Sequence, residues 1–269
     1  MDLKERAKQL RMDTMRCIGS IGTGHIGGCL SIIEVLTLLY FKHMNVDPQD
    51  PRKPDRDRLV LSKGHAGPAL YAALAGKGYF DRDVLLTLNR GGTTLPSHCD
   101  MNKTPGVDMT AGSLGQGFSC AMGLAKASKL VGDGATIYSI IGDGESQEGQ
   151  IWEAAMWGAQ QKLDNVIAFT DYNKMQIDGT IEEINDLAPL DAKWASFGWD
   201  VQVVDGHDLD AIDQAIVNAK NKAGKPHMII LNTIKGKGVA LAEGKGVGSH
   251  SFTVTPEEVE TALEEIRRA

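Results

Sequence analysis

The segment Ile140-Ile141-Gly142-Asp143-Gly144-Glu145-Ser146-Gln147-Glu148-Gly149 ends an apolar run at a carboxylate held between two glycines. Alone, Gly142-Asp143-Gly144 fits a tight turn leaving a strand, with Asp143 capping the next helix. A second oxygen donor alters that reading. Asn173, in Asp171-Tyr172-Asn173, follows Asp143 by 30 residues (173 − 143). One β-α-β unit has about that length, and it would bring both side chains to one edge of a sheet. A carboxylate, a carboxamide oxygen and a backbone carbonyl make a hard-oxygen set suited to Mg2+ or Ca2+, with positions left for phosphate oxygens. The glycines would let the backbone approach a diphosphate closely.

Four histidines, His25, His65, His98 and His250, lie in predicted loops beside Gly, Ser or Pro. Each alone fits a solvated loop residue. As a set they suit proton transfer near neutral pH, where imidazole titrates. His43, His207 and His227 lack such a context, and His207 in Asp205-Gly206-His207-Asp208 fits a turn and helix start. Gly112-Ser113-Leu114-Gly115-Gln116-Gly117 has the order G-x-x-G-x-G and follows no strong strand, so it is not a dinucleotide fingerprint. A glycine-rich helix start still suits a phosphate. Lys235, in Thr233-Ile234-Lys235-Gly236-Lys237-Gly238, reads by itself as a surface lysine, and Glu148 as a first-turn acid on a helix dipole.

These residues need a frame. Strands are expected at 58–62, 136–141, 165–170, 200–204 and 227–233. Helices are expected at 2–18, 31–43, 67–77, 115–131, 150–161, 188–197, 208–222 and 256–268. The alternation predicts an α/β fold, a parallel central sheet with helices on both faces. The strand runs are apolar at successive positions, as burial on both faces requires. Neither a linker nor a repeat is visible, and residues 1–269 read as one domain. Residues 81–112 and 235–251 are the long irregular parts, which in a compact domain tend to be functional. Ligands of open parallel sheets bind beyond the carboxyl ends of the strands, where Asp143 would stand.

The 269 residues are 42% hydrophobic and 23% charged, with a net charge of −7. That balance argues against nucleic acid or an anionic membrane as a partner. The four cysteines form no C-x-x-C pair and predict reduced thiols. The charged amphipathic start lacks the apolar core of a signal peptide, so the expected location is cytoplasmic.

The stretch GDGESQEGQIWEAAMWGAQQKLDNVIAFTDYN resembles the thiamine diphosphate motif in its transketolase form. The resemblance extends to GHIGG (24–28), DRLVLSKGHAGPALYAAL (57–74), TPGVDMTAGSLGQG (104–117) and TIKGKGV (233–239), in the family's order. It covers the N-terminal, diphosphate-binding half of a transketolase, so the chain resembles the N-terminal subunit of a split enzyme. It implies thiamine diphosphate with Mg2+ or Ca2+, held by Asp143, the Asn173 side chain and the Met175 carbonyl. Gly112, Ser113, Leu114, Gly144, His65, Lys235 and His250 would contact the cofactor. His25, His98 and His250 would act on substrate, and Glu148 would join an acidic network at the subunit interface. The implied reaction moves a two-carbon ketol unit from a ketose phosphate to an aldose phosphate.

The sequence also departs from the family pattern. Relatives that read SGHPG have Thr23-Gly24-His25-Ile26-Gly27 here, and a serine three residues after that histidine is Gly28. A GHP becomes Ser97-His98-Cys99, and a WHGK becomes Gly248-Ser249-His250-Ser251. Three of the four changes flank channel histidines, which suggests a specialised ketose. Rival readings are the α chain of a 2-oxo-acid dehydrogenase, a deoxyxylulose-phosphate synthase fragment, a non-catalytic cofactor-binding homologue and a nicotinamide oxidoreductase on a Rossmann-like sheet. In transketolases the carboxylate against the aminopyrimidine comes from the pyrimidine-binding half. Residues 256–268 read as a finished amphipathic helix. A separate C-terminal subunit is therefore the expected partner, two copies of each chain, with sugar phosphates as substrates.

Overall fold

A computed structural model describes residues 2–269. In chain order the elements are α1 (Leu3–Gly19), β1 (Thr23–Gly24), α2 (Ile26–Leu30), α3 (Ile33–Leu38), β2 (Arg58–Leu61), α4 (Gly67–Lys77), α5 (Gln116–Val131) and β3 (Ile137–Gly142). Then come α6 (Gly149–Gln160), β4 (Val166–Tyr172), α7 (Ile181–Asn185), α8 (Leu190–Ser196), β5 (Asp200–Asp205), α9 (Leu209–Lys220), β6 (His227–Asn232), α10 (Ala240–Gly244), β7 (Phe252–Thr253) and α11 (Pro256–Arg268).

Five strands form a wholly parallel sheet in the order β2-β3-β4-β6-β5. Successive side chains of a strand point to opposite faces, and the core divides accordingly. Leu59, Leu61, Tyr138, Ile140, Ile167, Phe169, Ile229 and Leu231 pack with α1, α3, α4, α9 and α11. Val60, Ile137, Ile141, Val166, Ala168, Met228 and Ile230 pack with α5, α6 and α8 on the other face. Helices thus cover both faces, as the apolar runs predict. β5 differs from the expectation of two-sided burial. It is an edge strand, Val201 packs under α8, and Val203 is 50% exposed beyond that short helix.

Register sets the height of the strand ends. Gly142 lies opposite Asp171, and Asp171 opposite Leu231, so β3, β4 and β6 stop at a common level. Cap chemistry fixes helix ends: Gly115 (φ +84) precedes α5, and Thr255 with Glu258 forms a capping box on α11.

Two features depart from the sequence reading. The helix expected at 31–43 starts at Ile26, breaks at Ile32 and ends in one wide turn over Leu39–His43. Gly27 and Gly28 disguise its start. At Gly27 any Cβ would lie 2.6 Å from the Ser249 carbonyl oxygen, so the glycine answers a close approach and not a turn. The second feature is an antiparallel ribbon of β1 and β7, with Thr23 opposite Thr253 and Gly24 opposite Phe252. No helix of the described residues is long and apolar enough to cross a membrane.

Candidate active site

The site is built on the strand ends. Asp143 leaves β3 2% exposed, and its amide donates to the Asp171 carbonyl at 3.2 Å. Its carboxylate caps no helix. One oxygen accepts from the Gly144 amide at 2.8 Å and the other from the Lys174 amide. Asn173 leaves β4; its Oδ1 accepts from the Met175 amide at 3.1 Å, and its Nδ2 donates to Asp171 at 3.0 Å. The Met175 carbonyl accepts from Lys235 Nζ at 3.3 Å. The three oxygens named from the sequence therefore converge on one turn. Neither Gly142 nor Gly144 has a positive φ. A Cβ on Gly144 would approach the Gln176 side chain to 3.1 Å, so open space is what glycine provides there.

Beneath these residues lies a buried ion pair. Lys63 Nζ, 1% exposed, donates to Asp171 Oδ2 at 2.5 Å and to the Gly28 carbonyl at 2.9 Å. Ser31 and Thr233 donate to the same carboxylate. Burial pushes Asp171 up, but the Lys63 charge and these hydroxyls outweigh it and hold the acid below its usual range. Asp171 thereby fixes the Asn173 amide with its oxygen turned the other way. A third acid, Glu145, accepts from the Ser62 hydroxyl and from the amides of Gly115 (2.9 Å) and Gly142 (3.0 Å). It ties the loop after β3 to the start of α5.

The four histidines meet in space although their segments are far apart in sequence. The His25 ring lies 5.3 Å from His65, 5.8 Å from His98 and 5.3 Å from His250, and His65 lies 5.1 Å from His250. The β1–β7 ribbon draws the His25 and His250 segments together. Burial, then the Lys63 charge, pushes His65 well below its usual range. Burial, then Lys235, brings His250 down to about 4. Burial, then His98, lowers His25. Burial and Lys63 bring Lys235 down to about 8. Asp143 moves the other way, up to about 7, through burial and the neighbouring Asp171 charge.

These shifts describe a site short of two charges. An anion beside the lysines and imidazoles, and a cation beside Asp143, would reverse them. No cluster of three His, Cys, Asp or Glu suits a metal among the described residues, so the donor set that fits is one carboxylate, one amide oxygen and one carbonyl. A metal–diphosphate pair matches both demands. A cleft of about 200 Å3 runs past Gly28, Lys63, His65, Leu114, Asp143 and Lys235.

Glu148 stands exposed at the cleft rim. Gly112 and Ser113 are exposed as well, and a Cβ on Gly112 would lie 3.8 Å from the His98 ring. At Gly28, where some relatives carry a serine, a Cβ would come tightly against His65 Nε2 at 3.3 Å and lie 3.5 Å from Lys63 Nζ. The sequence reading missed Lys63, Asp171, Glu145 and Ser62 as site residues. Lys63 and Asp171 lie inside the motifs LSKGHA and DYN, and two charges inside apolar strand ends are the signal that points to them.

Comparison with known proteins gives the family. Residues 3–266 match the family described as "Transketolase, thiamine diphosphate binding domain". The chain is 59% identical over 268 residues to a 6-deoxy-6-sulfo-D-fructose transketolase subunit of Clostridium sp. (strain MSTE9), covering 100% of this chain and 97% of that protein. It is 41% identical to an apulose-4-phosphate transketolase subunit of Actinobacillus succinogenes, covering 99% and 96%. Among solved structures it is similar to transketolase from Leishmania mexicana (TM-score 0.93, 28% identity), covering 99% of this chain and 41% of that one. Transketolase from Campylobacter jejuni gives a TM-score of 0.91 at 31% identity, with 99% of this chain and 43% of that chain covered.

Proposed function

The chain belongs to the transketolase family through its thiamine diphosphate-binding part, and from that premise we propose that it is the diphosphate-side subunit of a two-chain ketol transferase. The observation that carries this reading is the union of a buried, uncompensated Asp143 with four imidazoles at one strand edge.

Asp143, Asn173 and the Met175 carbonyl would hold a divalent metal, and Gly144, Leu114, His65 and Lys235 would receive the diphosphate. Thiamine diphosphate, when bound, supplies a carbon that attacks a ketose carbonyl and accommodates the electron pair released when the C2–C3 bond breaks. The protein's part is proton traffic and exclusion of water. The C3 hydroxyl of the donor loses its proton as its carbon becomes the carbonyl of the departing aldehyde. His25, His98 and His250, which cluster with His65, would face that oxygen. Burial lowers both His25 and His250, which favours the neutral imidazole that can accept the proton. The same proton returns when the acceptor aldehyde becomes a hydroxyl. Gly112 and Ser113, both exposed, would meet the cofactor beside Leu114, and Glu148 is free to meet a second chain.

The first donor to test is 6-deoxy-6-sulfo-D-fructose, named for the relative of 59% identity. Cleavage of its C2–C3 bond would release a four-carbon aldose that carries the sulfonate. The altered residues around His25, His98 and His250 agree with a donor other than an ordinary pentose phosphate. We place the enzyme in the cytoplasm, acting with a separate pyrimidine-binding subunit in two copies of each.

Co-expression with a pyrimidine-binding transketolase subunit, then a coupled assay across the sulfo-sugar, fructose 6-phosphate and xylulose 5-phosphate, tests the reading. Turnover with Mg2+ and thiamine diphosphate, fastest on the sulfo-sugar, is the expected result. A clear preference for xylulose 5-phosphate would overturn the donor assignment. Absence of ketol transfer from every donor would overturn the activity.

A further inference from the structure

The loop that carries Lys235 is held from behind by a charged network that the reaction chemistry does not itself use. Arg11 on α1 and Glu34 on α3 are 6% and 7% exposed. Arg11 Nη2 donates to Glu34 Oε1 at 2.6 Å, and Arg11 Nε donates to the Lys237 carbonyl at 2.9 Å. His207, after β5, accepts from the Ile234 amide through Nε2 at 2.8 Å. That bond leaves the imidazole proton on Nδ1, which faces Glu34 Oε2 at 3.3 Å. On the opposite side, the Gly236 amide donates to the Gly27 carbonyl at 3.1 Å. The backbone is thus fastened one residue before Lys235, one after and two after. Gly238 (φ +83) passes so near Arg11 that a Cβ there would lie 2.6 Å from Nε.

The Lys235 side chain itself has only long contacts, 3.3 Å to the Met175 carbonyl and 3.4 Å to His250 Nδ1. Its place comes from its backbone. A buried ion pair is poor evidence of added stability, because apolar residues of the same volume serve as well. Such a pair does fix geometry, and here Arg11 bonds the loop directly at Lys237 while Glu34 reaches it through His207. We propose that Arg11, Glu34 and His207 are positioning residues that set the Lys235 ammonium at the cleft, an inference that rests on reading the cleft as a diphosphate site.

A double-mutant cycle on the assembled two-subunit enzyme tests it, with the affinity for thiamine diphosphate in saturating Mg2+ read by calorimetry. Lys235→Met should weaken binding about ten- to a hundredfold, the usual effect of losing a charged hydrogen bond. His207→Ala should weaken it about three- to tenfold through a misplaced ammonium. The double variant should bind no more weakly than Lys235→Met alone. His207→Gln can accept from Ile234 and donate to Glu34, so it should recover most of the loss. Glu34→Gln, which keeps the shape and removes the charge, gives a second reading if His207→Ala folds poorly. Additive losses in the double variant, or wild-type affinity in His207→Ala and Glu34→Gln, would overturn the network. Wild-type affinity in Lys235→Met would overturn it too, by removing Lys235 from the ligand. A wild-type assembly that takes up no thiamine diphosphate would instead overturn the reading of the cleft, and the network with it.

Discussion

At Asp143 the fold buries a carboxylate beside a second acid, and the cost depends on pH. Its value of about 7 in the folded chain lies above the ordinary 3.8. The stability it permits when protonated is therefore complete below about pH 4 and is lost as pH rises to about 7. Asp143→Asn carries no charge at any pH. In the metal-free chain it should be more stable than wild type at pH 8, by about 1–3 kcal/mol, and equally stable near pH 4. Mg2+ with thiamine diphosphate should stabilise the wild type and leave Asp143→Asn unchanged. A variant no more stable at pH 8 would mean that Asp143 is not strained. The histidines divide differently. His65 lines the cleft beside Lys63, so His65→Ala should raise the dissociation constant for cofactor. His25→Ala and His98→Ala, farther out, should lower kcat by about tenfold or more with little change in that constant. Equal effects in all three on both quantities would remove the distinction.

Among the elements, the strand runs were legible because burial on both faces leaves only apolar positions. Observed ends differ from expected ones by a residue or two. The histidines and Asp143 could be picked out only as a set, through their spacing and the family motifs around them, because each alone fits an ordinary turn or loop. Lys63, Asp171 and Glu145 were not picked out, since each takes its meaning from a segment far off in the chain: Lys63 bonds Asp171, and Glu145 bonds Ser62 and Gly115. The β1–β7 ribbon, two residues long on each side, carries no pattern to read. One close approach joins these pieces. A Cβ on Gly64 would lie 2.3 Å from the Ala111 carbonyl oxygen and 2.7 Å from its carbon, and backbone cannot yield as a side chain does. Gly64→Ala should therefore cost about 2–3 kcal/mol in denaturant unfolding. It should also weaken cofactor binding by displacing Gly112 and Leu114. A cost within about 0.5 kcal/mol would mean that the loop moves freely.

For the molecule as a whole, exposed apolar residues are where a second chain would sit. Met156 and Trp157 on α6 are 54% and 42% exposed, and Ile177, at the cleft itself, is 65% exposed. Trp157→Glu should keep this chain folded, block its co-purification with the partner and abolish turnover in the mixture. Full assembly of that variant would move the interface elsewhere. The isolated wild-type chain should give no ketol transfer at any concentration of cofactor and metal, and turnover by it alone would refute the half-site reading. The β1–β7 ribbon has a consequence of another kind, one of timing. It pairs Thr23 with Thr253, and the imidazoles it gathers stand near both ends of the intervening chain. Contacts so distant in sequence form late, because the entropy of closing the loop must be met before they stabilise anything. A refolding chain should recover the far-ultraviolet signal of its helices and sheet first, and its ability to capture thiamine diphosphate only afterwards. Between those two moments it would be a nearly complete protein with no site, visible in stopped-flow as a lag before cofactor uptake.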